Sequence, residues 1–281
     1  MFYIDFYSPT LQKNLKVKEL TFKQYRDLNK FIINNNNFFI ADYFDTIIKD
    51  CLYDKEYFDH LTNFDKFCLL FLLRCLFVSP DIEYKNGPNA VKQQLIPFLK
   101  KYFNFKTEFS EELNNDPLKV IISLPKILFF DNIYDALYSS VDRIYIDNNE
   151  IEFLNNPEEK LKIIENLPAE ILTGLKSFSD RITKDFSSLT LEVGIDKKNK
   201  VELNPYNTSL FEILKAMFTA NLKNIYEVQY LLVSKLRYSA DYIDKNTLAE
   251  NLVLCNLYET EMAKLKEEQD KIMDKKGPQP K

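Results

Sequence analysis

The side chains most able to do chemistry in this sequence are few and widely separated. A hydrolase of the Ser/His/Asp kind needs a base within reach of its nucleophile, and the only imidazole is His60. It lies in Tyr57-Phe58-Asp59-His60-Leu61 with no nucleophile elbow nearby, so it reads as a helix-end or surface histidine, and one imidazole cannot build a multi-histidine metal site. The four cysteines, at 51, 68, 75 and 255, match no zinc or CxxC spacing. Apolar neighbours such as Leu69, Leu70 and Leu76 mark them as buried free thiols.

Carboxylates occur as adjacent pairs, Glu111/Glu112, Glu158/Glu159 and Glu267/Glu268. On a helix such neighbours point about 100° apart instead of converging, so the pairs are expected to be solvated. Residues 142–150 are rich in acidic and Asn side chains but lack the D-x-D-x-D-G order and closing Glu of an EF-hand. There is no P-loop, GxGxxG or HExxH, and 4 Gly in the whole chain leave little supply for a phosphate cradle. No catalytic, cofactor-binding or metal-ligating residue is nominated. The expectation is a protein that is not an enzyme, takes no cofactor and has no evident small-molecule substrate.

Composition agrees with a folded, contact-making protein. At 281 residues with 46% hydrophobic content the chain can bury a real core, and 23 Phe and 17 Tyr supply large apolar side chains. A net charge of −5 with both signs interspersed argues against nucleic-acid binding. The N-terminal Met1-Phe2-Tyr3-Ile4-Asp5-Phe6 lacks a signal-peptide pattern, which implies a protein that stays in the cytosol. The apolar run at 67–78 carries Arg74 and falls short of the roughly 20 residues of a bilayer span, so it reads as a buried core helix and no membrane span is expected.

These side chains must be positioned by an α+β fold that is predominantly α-helical. Phe2, Ile4 and Phe6 alternate, Ser8-Pro9-Thr10 turns the chain, and Leu15, Val17 and Leu20 extend again, which predicts an N-terminal β-hairpin. Helices follow: Thr21 ahead of Tyr25, Leu28, Phe31 and Ile32; residues 41–51; and, behind the capping-box-like pair Thr62 and Asp65, the most apolar helix of the chain, ended by Ser79-Pro80. The stretch 81–110 is less regular, with a turn at Asn86-Gly87-Pro88 and a helix over 90–103 kinked at Pro97. Residues 120–124 read as a strand, 131–141 as a short helix, and 144–153 as a hairpin around Asp147-Asn148-Asn149.

Pro157 and Pro168 each open a helix, the second with Ile171, Leu175, Phe178, Ile182 and Phe186 on one face. A second small hairpin is expected near Gly194, between Leu189, Leu191 and Val193 and Val201 and Leu203. Ser209 with Glu212 is read as the capping pair of the next helix, followed by Tyr226, Tyr230 and Leu231, a charged amphipathic last segment over 245–275 in which Leu248, Leu252 and Leu257 give way to Lys264-Leu265-Lys266-Glu267-Glu268, and a frayed tail. Tyr258 to Asp274 is open to two readings, a solvated face or a partner helix. The expected organisation is an N-terminal α+β domain, 1–195, and a region at 196–281 holding the hairpin return strand and C-terminal helices, the two able to share one core.

The order of these features resembles the baseplate hub assembly and baseplate hub proteins of T-even-type, contractile-tailed bacteriophages. Three segments carry the resemblance: "SPTLQKNLKVKELTFKQYRDL", a basic strand followed at once by a helix; "LTNFDKFCLLFLLRCLFVS", where Asp65 and Arg74 frame the apolar helix; and "LPAEILTGLKSFSDRITKDFSSLTLEV", a helix running into a hairpin. Residues 81–102 match least. Some members of that family carry cysteine pairs in the hairpin, and residues 194–201 hold none, so no metal role carries over.

The resemblance implies a late phage protein, made in the host cytoplasm, that helps build the baseplate hub as an assembly factor or chaperone, or stays in the virion tail baseplate as a component. Its partners would be other hub or tail proteins. Two other classes compete: a tail-associated enzyme such as a peptidoglycan hydrolase, which needs carboxylates converging in a cleft, and a host-directed regulatory binding protein. Asp65 and Arg74, nine positions apart, are too distant for a single-turn ion pair and are expected to cap and anchor their helix or to bind neighbouring segments.

Overall fold

A computed structural model describes residues 3–86, 89–151, 157–192 and 200–275. It shows the expected α+β fold, mostly helical. The chain begins with an antiparallel hairpin, β1 (Tyr3–Ser8) and β2 (Lys13–Lys18), in which Phe6 pairs with Leu15 and both face the core. Phe2 lies outside the described residues.

Helix α1 (Phe22–Asn34) starts where Thr21 and Gln24 cap each other reciprocally. The asparagine run then does two jobs in four residues. Asn35 closes α1 in the left-handed conformation, φ 53°, which Asn tolerates better than most residues, and Asn36 accepts from the Phe39 N–H to open α2 (Asn37–Cys51). A short 3₁₀ helix (Lys55–His60) leads into α3 (Asn63–Phe77).

Helix α3 is the axis of the molecule. Of its residues only Leu72, Leu76 and Phe77 escape full burial, because α2, α4, α8 and β1 surround it. Phe64 packs edge-on against Phe186 at 4.9 Å and Phe71 against Tyr102 at 5.5 Å.

The stretch after α3 departs from the sequence reading. Residues 81–94 form a hairpin, β3 (Asp81–Asn86) and β4 (Asn89–Gln94), and α4 spans only Ile96–Phe103. Pro97 therefore occupies the first turn, where its missing N–H costs nothing, and does not kink a longer helix. A four-stranded antiparallel sheet follows, in the order β5 (Ser110–Asn115), β6 (Leu118–Ser123), β7 (Val141–Ile146), β8 (Asn149–Glu150), with α5 (Ile133–Ser140) inserted between β6 and β7. Asp147 and Asn148 both take positive φ, as a two-residue hairpin turn requires. Strand β5 had no apolar alternation to reveal it. The end of the hairpin read at 144–153 runs into residues outside the described ones.

Helix α6 (Pro157–Glu165) precedes α7 (Ala169–Phe186), whose face of Ile171, Leu175, Phe178, Ile182 and Phe186 is buried as its spacing predicts. Gly174 lets α7 approach β5, since a Cβ there would stand 2.8 Å from the methyl carbons of Leu113. Strands β9 (Thr190–Glu192) and β10 (Lys200–Glu202) pair as the second hairpin; its turn at Gly194 lies outside the described residues.

The C-terminal helices are α8 (Ser209–Phe218), α9 (Leu222–Ser234), α10 (Ala240–Lys245) and α11 (Leu248–Lys275). Ser209 does not cap α8. It is the first helical residue, and its hydroxyl instead accepts from the Asn204 N–H at 2.9 Å. The last segment, 245–275, holds one long helix that opens just after α10 ends: Thr247 and Glu250 form a capping box at the head of α11, the backbone N–H of each residue meeting the other's side chain at 2.8 and 3.1 Å. The frayed tail expected at 277–280 lies outside the described residues. Buried side chains on both sides of residue 195 belong to one continuous cluster that runs from Phe6 to Cys255.

Candidate protein interaction surface

The two charges that frame α3 are internal anchors. Asp65, fully buried, accepts from five donors: the Thr62 N–H at 3.0 Å and hydroxyl at 2.7 Å, the Ser8 hydroxyl at 2.7 Å, the Thr10 N–H at 3.1 Å, and the Thr10 hydroxyl. It thus caps its own helix and clamps the turn of the N-terminal hairpin to it. Arg74 donates to the carbonyls of Met217 at 2.9 Å, Ser79, and Asp81 at 3.3 Å, tying α3 to α8 and to the start of β3. Burial lowers the Arg74 guanidinium from its ordinary value. Both residues are fully engaged within the fold, which leaves them no part in binding another molecule.

The remaining chemically capable residues stay apart. His60 is exposed at the end of the 3₁₀ helix. Cys51, Cys68, Cys75 and Cys255 are buried and free, and burial pushes the thiols of Cys51 and Cys75 up to about 12 and that of Cys68 well above its ordinary value, so none is poised as a nucleophile. Glu111 and Glu112 sit on strand β5, not on a helix, so they point to opposite faces; Arg181 holds the first at 3.0 Å and Lys119 the second at 2.7 Å. Glu267 and Glu268 are solvated on α11, while Glu158 and Glu159 carry side chains outside the described ones. Among the described residues no three His, Cys, Asp or Glu side chains come together as a metal site, residues 142–150 included. Among the described residues no helix is long and apolar enough to cross a membrane.

What the fold does assemble on its surface is a cleft of about 440 Å³ between α2, the 127–130 segment and α5. Phe38 of α2 meets Phe129 edge-on at 5.1 Å, and Ile127 and Tyr138 continue the apolar wall. Phe38, Ile127 and Leu161, which line it, are all exposed, although side chains of this size are ordinarily the ones a fold hides.

Asp42, Asp45 and Asp135 make the other side of the cleft acidic. Asp45 is paired from behind by Lys66, whose Nζ lies 3.0 and 3.1 Å from its two oxygens and 4.4 Å from the Phe58 ring centroid. Burial outweighs the pairing at both ends, raising the Asp45 carboxyl and lowering the Lys66 ammonium. The arrangement suits an apolar or aromatic side chain flanked by a cation on a partner, and it positions no group for bond chemistry. No sequence period marks it, because its walls join α2 to the stretch from Ile127 to Tyr138, about 90 residues further along the chain.

The family described as T4 bacteriophage base plate protein has a model that matches residues 1–208 of this chain. No curated protein and no solved structure gives a match.

Proposed function

As the chain belongs to the T4 bacteriophage base plate protein family, we propose that it is a non-enzymatic component or assembly factor of the baseplate hub, acting through contacts with other baseplate proteins. Its place as a phage baseplate protein rests on the family. The observation that carries the proposal is the cleft between α2 and α5. It is the kind of surface a protein partner fills, with exposed apolar anchors beside carboxylates, and it lies wholly inside the family-matched part of the chain.

Mass spectrometry of the tagged protein drawn from infected cells, set against its abundance in purified particles, tests the proposal. Hub or tail proteins should co-purify. Phe38→Asp with Ile127→Asp, two exposed positions, should abolish that capture while leaving circular dichroism and Tm unchanged. Recovery of host proteins alone would replace this reading with a regulatory one. Retention in the particle separates a component from an assembly factor that leaves.

A further inference from the structure

The stripe that seats α11 on the body continues past the end of the body. Leu248, Asn251, Cys255 and Tyr258 follow one another at intervals of three and four residues; Asn251 and Cys255 are buried, and Asn251 donates to the Ile243 carbonyl at 3.1 Å. The same intervals run on through Met262, Leu265, Gln269 and Ile272, yet every residue from 259 to 272 is exposed. Met262, Leu265 and Ile272 keep 45%, 44% and 56% of their surface in solvent, on the line that is covered one turn earlier. Positions at this alternating spacing are the a and d sites of a coiled coil.

We propose that this projecting half of α11 is a self-association surface on which a second copy of the chain docks as a parallel, in-register, two-stranded coiled coil. Three features select a second copy in that orientation. Glu261, just before Met262, and Lys266, just after Leu265, are the flanking pair that face each other across a parallel seam, so two identical chains form the contact twice. In an antiparallel pair Glu261 and Glu268 share the edge that meets itself, bringing like charges together. Gln269 falls in the apolar seam, where only an in-register parallel partner sets another Gln amide opposite it, a polar pair that fixes register.

The seam from Tyr258 to Ile272 is only about 22 Å long. Short helices normally fail because nucleation is costly, but α11 is already nucleated by its seated half and its Thr247 cap, so pairing does not bear that cost. The stripe lies outside residues 1–208, so the inference stands independently of the baseplate reading.

Sedimentation velocity on the full chain, from about 2 to about 300 μM, tests it, since association by mass action must move with concentration. A reversible monomer–dimer shift is expected. Met262→Lys with Leu265→Lys should weaken it at least about tenfold with circular dichroism showing an intact fold, because charge then faces charge in the seam. Glu261→Lys or Lys266→Glu alone should weaken it about threefold, and the swapped double variant should restore it. A monomer throughout, or a dimer indifferent to Met262→Lys with Leu265→Lys, overturns the proposal. A charge swap that fails to restore association overturns the parallel arrangement.

Discussion

Helices α3 and α11 both carry apolar side chains at helical spacing and end in opposite surroundings. Helix α3 is enclosed along almost its whole length, with only Leu72, Leu76 and Phe77 short of full burial, and even its polar residues Asn63, Asp65, Lys66 and Arg74 are buried against partners brought from elsewhere in the chain. Helix α11, at 28 residues the longest, loses its cover after Tyr258. The difference shows what decides burial: α3 has no face polar enough to stay in water, whereas α11 interleaves its stripe with Glu259, Glu261, Lys264, Lys266 and Glu268 and tolerates exposure. One helix holds the fold together, and the other is free to hold something outside it. The family match includes the first and stops before the second.

Phe71→Ala should break the α3 side of the comparison hardest. The ring is fully buried against Phe67 and Tyr102, and its loss should cost about 3–5 kcal/mol in urea unfolding. A cost below about 1 kcal/mol would mean that α3 is not the core axis. Asp65→Asn should follow at about 2–3 kcal/mol, because an amide nitrogen would replace one acceptor oxygen in a site where all five partners donate. Ser8→Ala with Thr10→Ala should remove much of that penalty in a double-mutant cycle. A purely local cap would show no such coupling.

Alkaline pH should weaken the protein through groups packed around the same core. Burial pushes Cys51 and Cys75 from 9.0 to about 12 and Tyr43 from 10.0 to about 12. The unfolded chain releases these protons first, so their stabilisation is complete below about pH 9 and is lost as pH climbs toward 12. Lys66 opposes this: lowered from 10.5 by burial, it binds fewer protons when folded, and its contribution rises with pH below that value. Burial also raises Cys68, Cys255, Tyr25, Tyr102 and Tyr206, so the groups that hold their protons in the fold outnumber Lys66 and set the net sign. The urea midpoint should fall between about pH 8 and pH 10.5, and the fall should be shallower in Cys51→Ala. A rising midpoint would show that Lys66 dominates.

What could be read from the sequence was local. The caps at Thr21 and Thr62 and the face of α7 each depend on residues within a few turns, and each stands where its pattern put it. Helix α4 was overextended because Val91, Leu95, Phe98 and Leu99 mimic a helical period across a strand–helix junction. Strand β5, Ser-Glu-Glu-Leu-Asn-Asn, has almost nothing apolar to alternate and exists through its pairing with β6 and the approach of Gly174 to Leu113. The Thr247–Glu250 box carries the same local signal as Thr62–Asp65, a Thr three residues ahead of an acidic side chain at the head of a helix. The roles of Asp65 beyond its cap, and the whole cleft at Phe38, depend on side chains arriving from 55 to about 90 residues away, and no periodicity records such meetings.

The smallest expected effect sharpens the comparison most. Removing residues 259–281 should change the unfolding free energy by less than about 0.5 kcal/mol, because none of the side chains described between 259 and 272 is covered by the body. The measurement belongs at low concentration, where no second copy contributes. Far-UV circular dichroism should lose the signal of about the last five helical turns while the urea midpoint stays in place, since Asn251, Cys255 and the Thr247 cap that seat α11 all remain. A loss above about 1 kcal/mol would place the distal half against the body and erase its difference from α3. An unchanged midpoint would leave that half with no task inside the monomer, which is the condition a helix must meet to serve as a contact between molecules.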